Sequence, residues 1–232
     1  MKPVLMLGAG RLGGALIEGW LRFGGPSTDD LMILDPSPSE AALGAIRAGA
    51  SGDPGPPEIA RAGTVLLAVK PQAWREAVVA VAPHLPPDAV IVSVVAGVRA
   101  ADISEAFGGR RVARIMPTTA VAVGRGVASL FATDPEAASR ARSLFAPVGV
   151  VVDLAEEGLL HAATGVSGSA PAYFYAFVEA LEAAGAADDF ADDEDELEFS
   201  PPQASKITVG KARAPTLNFM RRRYVGVAAR CC

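Results

Sequence analysis

Short unbroken apolar runs alternate with stretches whose apolar residues recur every three or four positions along the first part of the chain. The runs "VLMLG" (4–8), "LMILD" (31–35), "TVLLAV" (64–69) and "AVIVSVV" (89–95) show no polar alternation, the pattern of strands covered on both faces. Between them the spacing predicts helices over 12–23, 40–48, 72–82 and 100–107, with "GGPSTDD", "GDPGPP" and "PHLPPD" as turns. Strand and helix in alternation predict βαβ units on a parallel sheet. A fifth strand over 111–117, an apolar run over 126–132, a helix over 135–145 and a strand "VGVVVDL" (148–154) extend the pattern to a boundary near Leu154.

Past that boundary the pattern turns helical, then breaks. "EEGLLHAATG" (156–165) and "SAPAYFYAFVEALEAAGAA" (169–187) predict helices, the second with Ser169 as N-cap and Pro171 in its first turn. Phe174, Phe177, Val178 and Leu181 form one stripe that calls for a packing partner. From Asp188 to Glu198 eight of eleven residues are acidic, and Pro201 and Pro202 follow. Such a block is expected to be solvated and disordered. The remainder, "SPPQASKITVGKARAPTLNFMRRRYVGVAARCC", has little helical period. It reads as an altered reading frame or a divergent, truncated end, with a grafted interaction segment as the alternative.

Composition narrows the class. Half of the 232 residues are hydrophobic, enough for one large domain or one with a smaller companion. The net charge of -5 argues against nucleic acid as a partner, and no basic cluster precedes Arg221, Arg222 and Arg223. The cysteines, Cys231 and Cys232, support neither a disulfide framework nor a four-ligand zinc site, so no metal is expected. "PVLML" reaches glycine too early for a signal peptide, and no run has bilayer-spanning length. A cytoplasmic location is the expectation.

Candidate chemistry begins directly after the first strand. "GAGRLGG" places Gly8, Gly10 and Gly13 in the spacing G-x-G-x-x-G at the opening of a helix. Such glycines allow a tight turn, close approach of a pyrophosphate and close packing of helix on strand, while helix N–H groups face the phosphate charge. At the end of the second strand Asp35 is placed to accept hydrogen bonds from the adenine ribose and to repel a 2′-phosphate. NADH is favoured, with NADPH open because Ser37 and Ser39 follow. An Asp-Pro turn without ligand is the alternative for Asp35. The expected fold is α/β, a Rossmann-type doubly wound sheet.

Three more stretches lie at predicted strand ends, where ligands sit in open α/β sheets: "AVKPQ" (68–72), "SVVAGV" (93–98) and "RIMPTTAVAVGRG" (114–126). With "GVSGSAPAY" (165–173) after them, the chain resembles pyrroline-5-carboxylate reductases, over about residues 2–187. The resemblance implies that Gly8, Gly10, Arg11, Leu12 and Gly13 hold the cofactor pyrophosphate, and that Val69, Lys70 and Pro71 lie beside the nicotinamide ribose. Ala96 and Gly97 match the floor of that site. Met116, Pro117 and Thr118 match a Met-Pro-Asn stretch, with Thr118 in place of asparagine and Ala120 in place of a proline. Ser167, Gly168, Ser169 and Pro171 match Ser-Gly-Ser-Gly-Pro, with Ala170 for the second glycine, and are the substrate-binding candidates.

The implied reaction moves hydride from NAD(P)H to the C=N carbon of 1-pyrroline-5-carboxylate, giving proline. Orientation, dryness and an anion site suffice for it. The helix start around Gly168 to Ala170, with Ser167 or Ser169, is expected to meet the substrate carboxylate. The implied organisation is a dinucleotide-binding domain over 1–154, the start of a truncated helical substrate and dimerisation domain over 155–187, and a divergent tail over 188–232. The family's Ser-Pro-Gly-Gly-Thr-Thr loop finds no match after Ala187, so poor turnover or none, with retained cofactor binding, is expected. Family members form homo-oligomers through the helical domain.

Two other readings stay open: a β-hydroxyacid-type dehydrogenase, and a non-catalytic dinucleotide-binding remnant. The first expects a lysine on the substrate-domain helix, and no lysine occurs between Lys70 and Lys206. His84 is read as solvent-facing, His161 as a packed helix histidine, and Trp20 and Trp74 as core or interface.

Overall fold

The computed structural model describes residues 3–187; the tail expected to be disordered, 188–232, lies outside the described residues. By its contacts the chain divides into one unit up to Gly168 and another from Ser169 onward, taken separately below.

The first unit runs β1 (Val4–Leu7), α1 (Arg11–Phe23), β2 (Leu31–Leu34), α2 (Glu40–Arg47), β3 (Ser51–Gly52), α3 (Pro56–Ile59), β4 (Thr64–Leu67), α4 (Trp74–Val81), β5 (Val90–Ser93), α5 (Ala100–Ala106), β6 (Val112–Pro117), β7 (Gly126–Ala132), α6 (Pro135–Phe145), β8 (Gly149–Asp153) and α7 (Leu159–Ala163). The strands form one sheet in the order β3-β2-β1-β4-β5-β6-β7-β8, parallel throughout except that β6 and β7 run antiparallel. The expected doubly wound α/β architecture is present. From β1 the sheet grows outward through β2 and β3 on one side and from β4 onward on the other, so the crevice above the carboxyl ends of the parallel β1 and β4 is the switch point of the topology.

The unbroken apolar runs have a direct physical outcome. Val4 and Met6 of β1 enter one core with Leu16, Ile17 and Trp20, while Leu5 and Leu7 enter the opposite core with Trp74, Val78 and Ile103. Each such buried side chain contributes about 1.5–3 kcal/mol relative to exposure. On the α1 side, the Trp20 indole N–H donates to the Leu144 carbonyl at 2.7 Å, which ties α1 to α6. Trp74 is buried in the other layer, with the Arg75 guanidinium 4.5 Å from its ring centroid.

The departures from expectation are local. The helix expected from residue 72 starts at Trp74, because the Ala73 N–H bonds the Lys70 carbonyl and closes a turn first. Within "GDPGPP" a short helix forms, since Glu58 accepts the Gly55 N–H at 3.1 Å and Pro56 suits its first position. The run 126–132 is a strand of opposite direction, joined to β6 by bonds that Thr118 and Val127 exchange. On β7 and β8 the side chains of Val127, Val150 and Val152 are exposed.

A π-helical turn, Thr164–Ser169, follows α7. It corrects the reading of Ser169 as an N-cap: residues 164–169 already have helical backbone, so no free helix start lies at Gly168. His161 is exposed on α7 rather than packed. The described part of the second unit is α8 (Ala170–Ala187). Phe174, Phe177 and Leu181 of the predicted stripe are exposed on it, with Tyr173 and Tyr175 beside them, and the Phe174 and Tyr175 rings meet edge to face at 6.4 Å.

Candidate functional site

The glycine turn between β1 and α1 stands at the switch point. Gly8 has φ +91°, and a Cβ there would fall 2.7 Å from the Ala68 carbonyl oxygen and 2.8 Å from the Val69 nitrogen. Only glycine lets β1 and the end of β4 come so close. A Cβ on Gly13 would lie 2.5 Å from the Gly8 carbonyl, so this glycine admits the helix against the strand. Gly10 differs from both. It precedes α1, is exposed, and a Cβ on it would meet nothing within 4 Å. That open space lies before the N–H groups of the first turn of α1, where a pyrophosphate fits. Arg11 is exposed at the start of α1, and Leu12 packs partly against the core.

Asp35 ends β2 and engages the same turn. Its Oδ2 accepts the Ala9 N–H at 2.5 Å and its Oδ1 accepts the Ser37 N–H at 2.7 Å, so the carboxylate links the two loops that flank the crevice. Each oxygen keeps a lone pair for a further donor. Ser39 is committed to capping α2, where its Oγ accepts the Ala42 N–H.

The other predicted residues follow strand ends on the same side. Val69, half-buried, and the exposed Lys70 and Pro71 come after β4. Ala96 and Gly97 are exposed after β5, with Gly97 at φ +75°. Met116 and Pro117 close β6, and the Oγ1 of Thr118 accepts the Val127 N–H at 3.2 Å. Parallel β1, β4, β5 and β6 thus bring these segments, which are far apart in sequence, to one edge of the sheet. Ser167 and Gly168 lie in the π turn, and turns of this kind recur at functional sites. The Ser167 hydroxyl donates to the Ala163 carbonyl and the Thr164 hydroxyl to that of Leu160, both at 2.7 Å.

A cavity of about 430 Å³ lies elsewhere, along α5, lined by Ser104, Arg110, Arg111, Thr133, Asp134 and Glu157 among others. Its cations are occupied. Arg110 donates to the carbonyls of Pro86, Leu85, Ala82 and Phe107, and burial lowers the pKa of its guanidinium. Arg111 pairs with Glu136 at 2.6 Å. The glycine turn, with its open approach, is therefore the better candidate for a ligand than this cavity. Among the described residues no cluster of His, Cys, Asp and Glu fits a metal ion, and no helix is long and apolar enough to cross a membrane.

A glycine turn at the switch point of a doubly wound sheet, with helical segments after the last strand, defines a dinucleotide-binding oxidoreductase class. Residues 3–97 match a family model described as NADP oxidoreductase, coenzyme F420-dependent, and residues 157–197 match one described as pyrroline-5-carboxylate reductase dimerisation. The chain is 32% identical to the pyrroline-5-carboxylate reductase of Pseudomonas aeruginosa over 220 residues, covering 90% of this chain and 75% of that one. It is also 32% identical to that of Haemophilus influenzae, covering 79% and 69%. The chain belongs to the pyrroline-5-carboxylate reductase family. The dimerisation match continues to residue 197, past the Ala187 limit drawn from the sequence. Solved structures share the fold: the Plasmodium falciparum pyrroline carboxylate reductase with NADP bound has a TM-score of 0.69 at 20% identity, covering 82% of this chain and 71% of that one. The 3-hydroxyisobutyrate dehydrogenase of Mycobacterium tuberculosis has 0.60 at 19%, covering 81% and 66%.

Proposed function

We propose that this chain works as a reductase of its family, moving hydride from NAD(P)H to the C=N carbon of 1-pyrroline-5-carboxylate to give proline. The observation that carries the reading is the contrast within one turn: Gly8 and Gly13 close against backbone while Gly10 faces open space before a helix start. Bound there, the reduced nicotinamide supplies the hydride.

The chain's own residues bind and orient. Gly10, Arg11 and Leu12 hold the pyrophosphate, Asp35 accepts from the adenine ribose and favours NADH, and Val69, Lys70 and Pro71 border the nicotinamide ribose. Ala96 and Gly97 form the floor, and Met116, Pro117 and Thr118 form a wall. Ser167, Gly168 and Ser169 are the substrate contacts, the Ser167 hydroxyl turning from the Ala163 carbonyl toward the substrate carboxylate. The dinucleotide-binding domain occupies 1–154, and the helical domain from 155 joins two copies of the chain. A cytoplasmic setting suits a chain with two cysteines, too few for a disulfide framework.

Calorimetric titration with NADH and NADPH, paired with cofactor oxidation in the presence of the imine, tests the reading. Binding with turnover is expected, tighter for NADH and at a modest rate. No binding of either dinucleotide overturns it, and binding without turnover leaves a non-catalytic binding protein.

A further inference from the structure

Three segments of the site meet at one carboxylate. Glu157 stands just ahead of α7 and of the π turn that carries Ser167 and Gly168. Its Oε1 accepts the N–H of Ala100, the first residue of α5, at 2.6 Å; Ala96 and Gly97 lie in the loop directly before this helix. The same oxygen accepts from Arg114 at 2.8 Å, and Arg114 sits on β6 two residues before Met116. The other arm of the guanidinium reaches toward the Val95 carbonyl, 3.4 Å away, at the end of β5.

Arg114 is only 3% exposed, and its Nε has no acceptor. A buried arginine with an unmet N–H is a poor filler for a strand, because an apolar side chain of similar volume usually gives equal or better stability. What the pair does hold is specific: the loop after β5, the end of β6 and the entry to α7.

We propose that Arg114 and Glu157 are a positioning pair that sets the nicotinamide-side segments and the π turn in register with one another. Neither touches substrate; both act through the segments they join. The proposal rests on the reductase reading above.

In Glu157→Ala the links from this carboxylate to the start of α5 and to Arg114 are both lost. Its kcat with the imine falls about 10- to 100-fold, as displacement of reacting groups by an ångström does, while calorimetric affinity for the dinucleotide holds because the Gly8 to Gly13 turn is untouched. Glu157→Gln, which keeps the accepting oxygen, restores most of kcat. Arg114→Met shows the same split between kcat and affinity, with a lower Tm because Glu157 is left without its partner. Hydrogen exchange of the protein without ligand reads the pair independently of activity: amides at the start of α5 and in α7 exchange faster in Glu157→Ala, and those of β1 do not.

Unchanged kcat in Glu157→Ala overturns the proposal, as does a loss of kcat matched by equal losses of affinity and Tm. Absence of turnover in the unsubstituted protein counts against the reductase reading instead, and exchange then decides the pair: faster exchange at α5 and α7 upholds it, and equal exchange refutes it.

Discussion

Strand β1 and helix α8 are both apolar, and the fold treats them in opposite ways. Every residue of β1 is at most 1% exposed, its alternate side chains divided between two cores built by the same chain. On α8, Phe174 is 64% exposed and Tyr175 71%. Exposed aromatic residues gathered on one helix are the kind of surface that partners cover. The difference teaches that β1 finds both of its cores within the chain, whereas α8 leaves its aromatic residues uncovered by the described residues. Its match to a dimerisation segment fits that reading.

The largest expected effect falls on the helical side of this contrast. Replacing Phe174 and Phe177 together by Glu removes two anchors of the proposed dimer, at about 2 kcal/mol or more for each hot-spot residue. Sedimentation should show association lost while dinucleotide binding survives. A double variant that associates as before breaks the comparison.

On the sheet side, Gly10→Val should lower dinucleotide affinity about tenfold or more, roughly 1.4 kcal/mol. Its Tm should hold, because the added Cβ meets no protein atom. A matched loss of Tm would show that Gly10 serves the fold and not a ligand. Trp20→Phe leaves the Leu144 carbonyl without its indole donor and should cost about 1 kcal/mol of stability in denaturant unfolding. Cofactor affinity should not move, since α1 keeps its apolar contacts.

The smallest effect concerns pH. Hydrogen bonds from Arg111 and Arg140 hold the Glu136 carboxyl below its usual pKa. A depressed folded-state pKa adds stability above the unfolded-state value of about 4.3 and loses it as pH falls through the folded-state value. Glu136→Gln should therefore flatten the fall of Tm on acidification below about pH 4, slightly, because the pair is exposed. A profile unchanged by the substitution would show that solvent screens the pair completely.

Much of this was legible in the sequence, and the reasons are physical. Strands β1, β2, β4 and β5 read out because burial on both faces keeps charge out and leaves no polar alternation, Thr64 and Ser93 being their only polar residues, and Gly8, Gly10 and Gly13 because of their spacing, a Cβ at Gly8 or Gly13 falling 2.5–2.7 Å from a carbonyl oxygen. The π turn at 164–169 did not read out, since apolar spacing carries no record of a widened helical turn; Ser169 therefore looked like a cap. His161 looked packed because "LLHAATG" is apolar around it, yet α7 turns it to solvent. The Arg114 to Glu157 link spans 43 residues and leaves no local pattern. Its one signal was an arginine in the middle of "VARIMP", a strand with no other charge.

The placement of the two tryptophans gives the molecule a pair of built-in optical reporters. Trp20 is buried in the layer of α1 and α6 with its indole bonded to a carbonyl, while Trp74 lies in the layer of α4 and α5 beside a guanidinium. The chain has no other tryptophan, so a single Trp→Phe change at either position leaves emission from one layer alone. Unfolding followed in the two single-tryptophan proteins would then time the opening of each side of the sheet. Coincident curves would mean that the layers part together, and a lag would identify which side of the sheet gives way first.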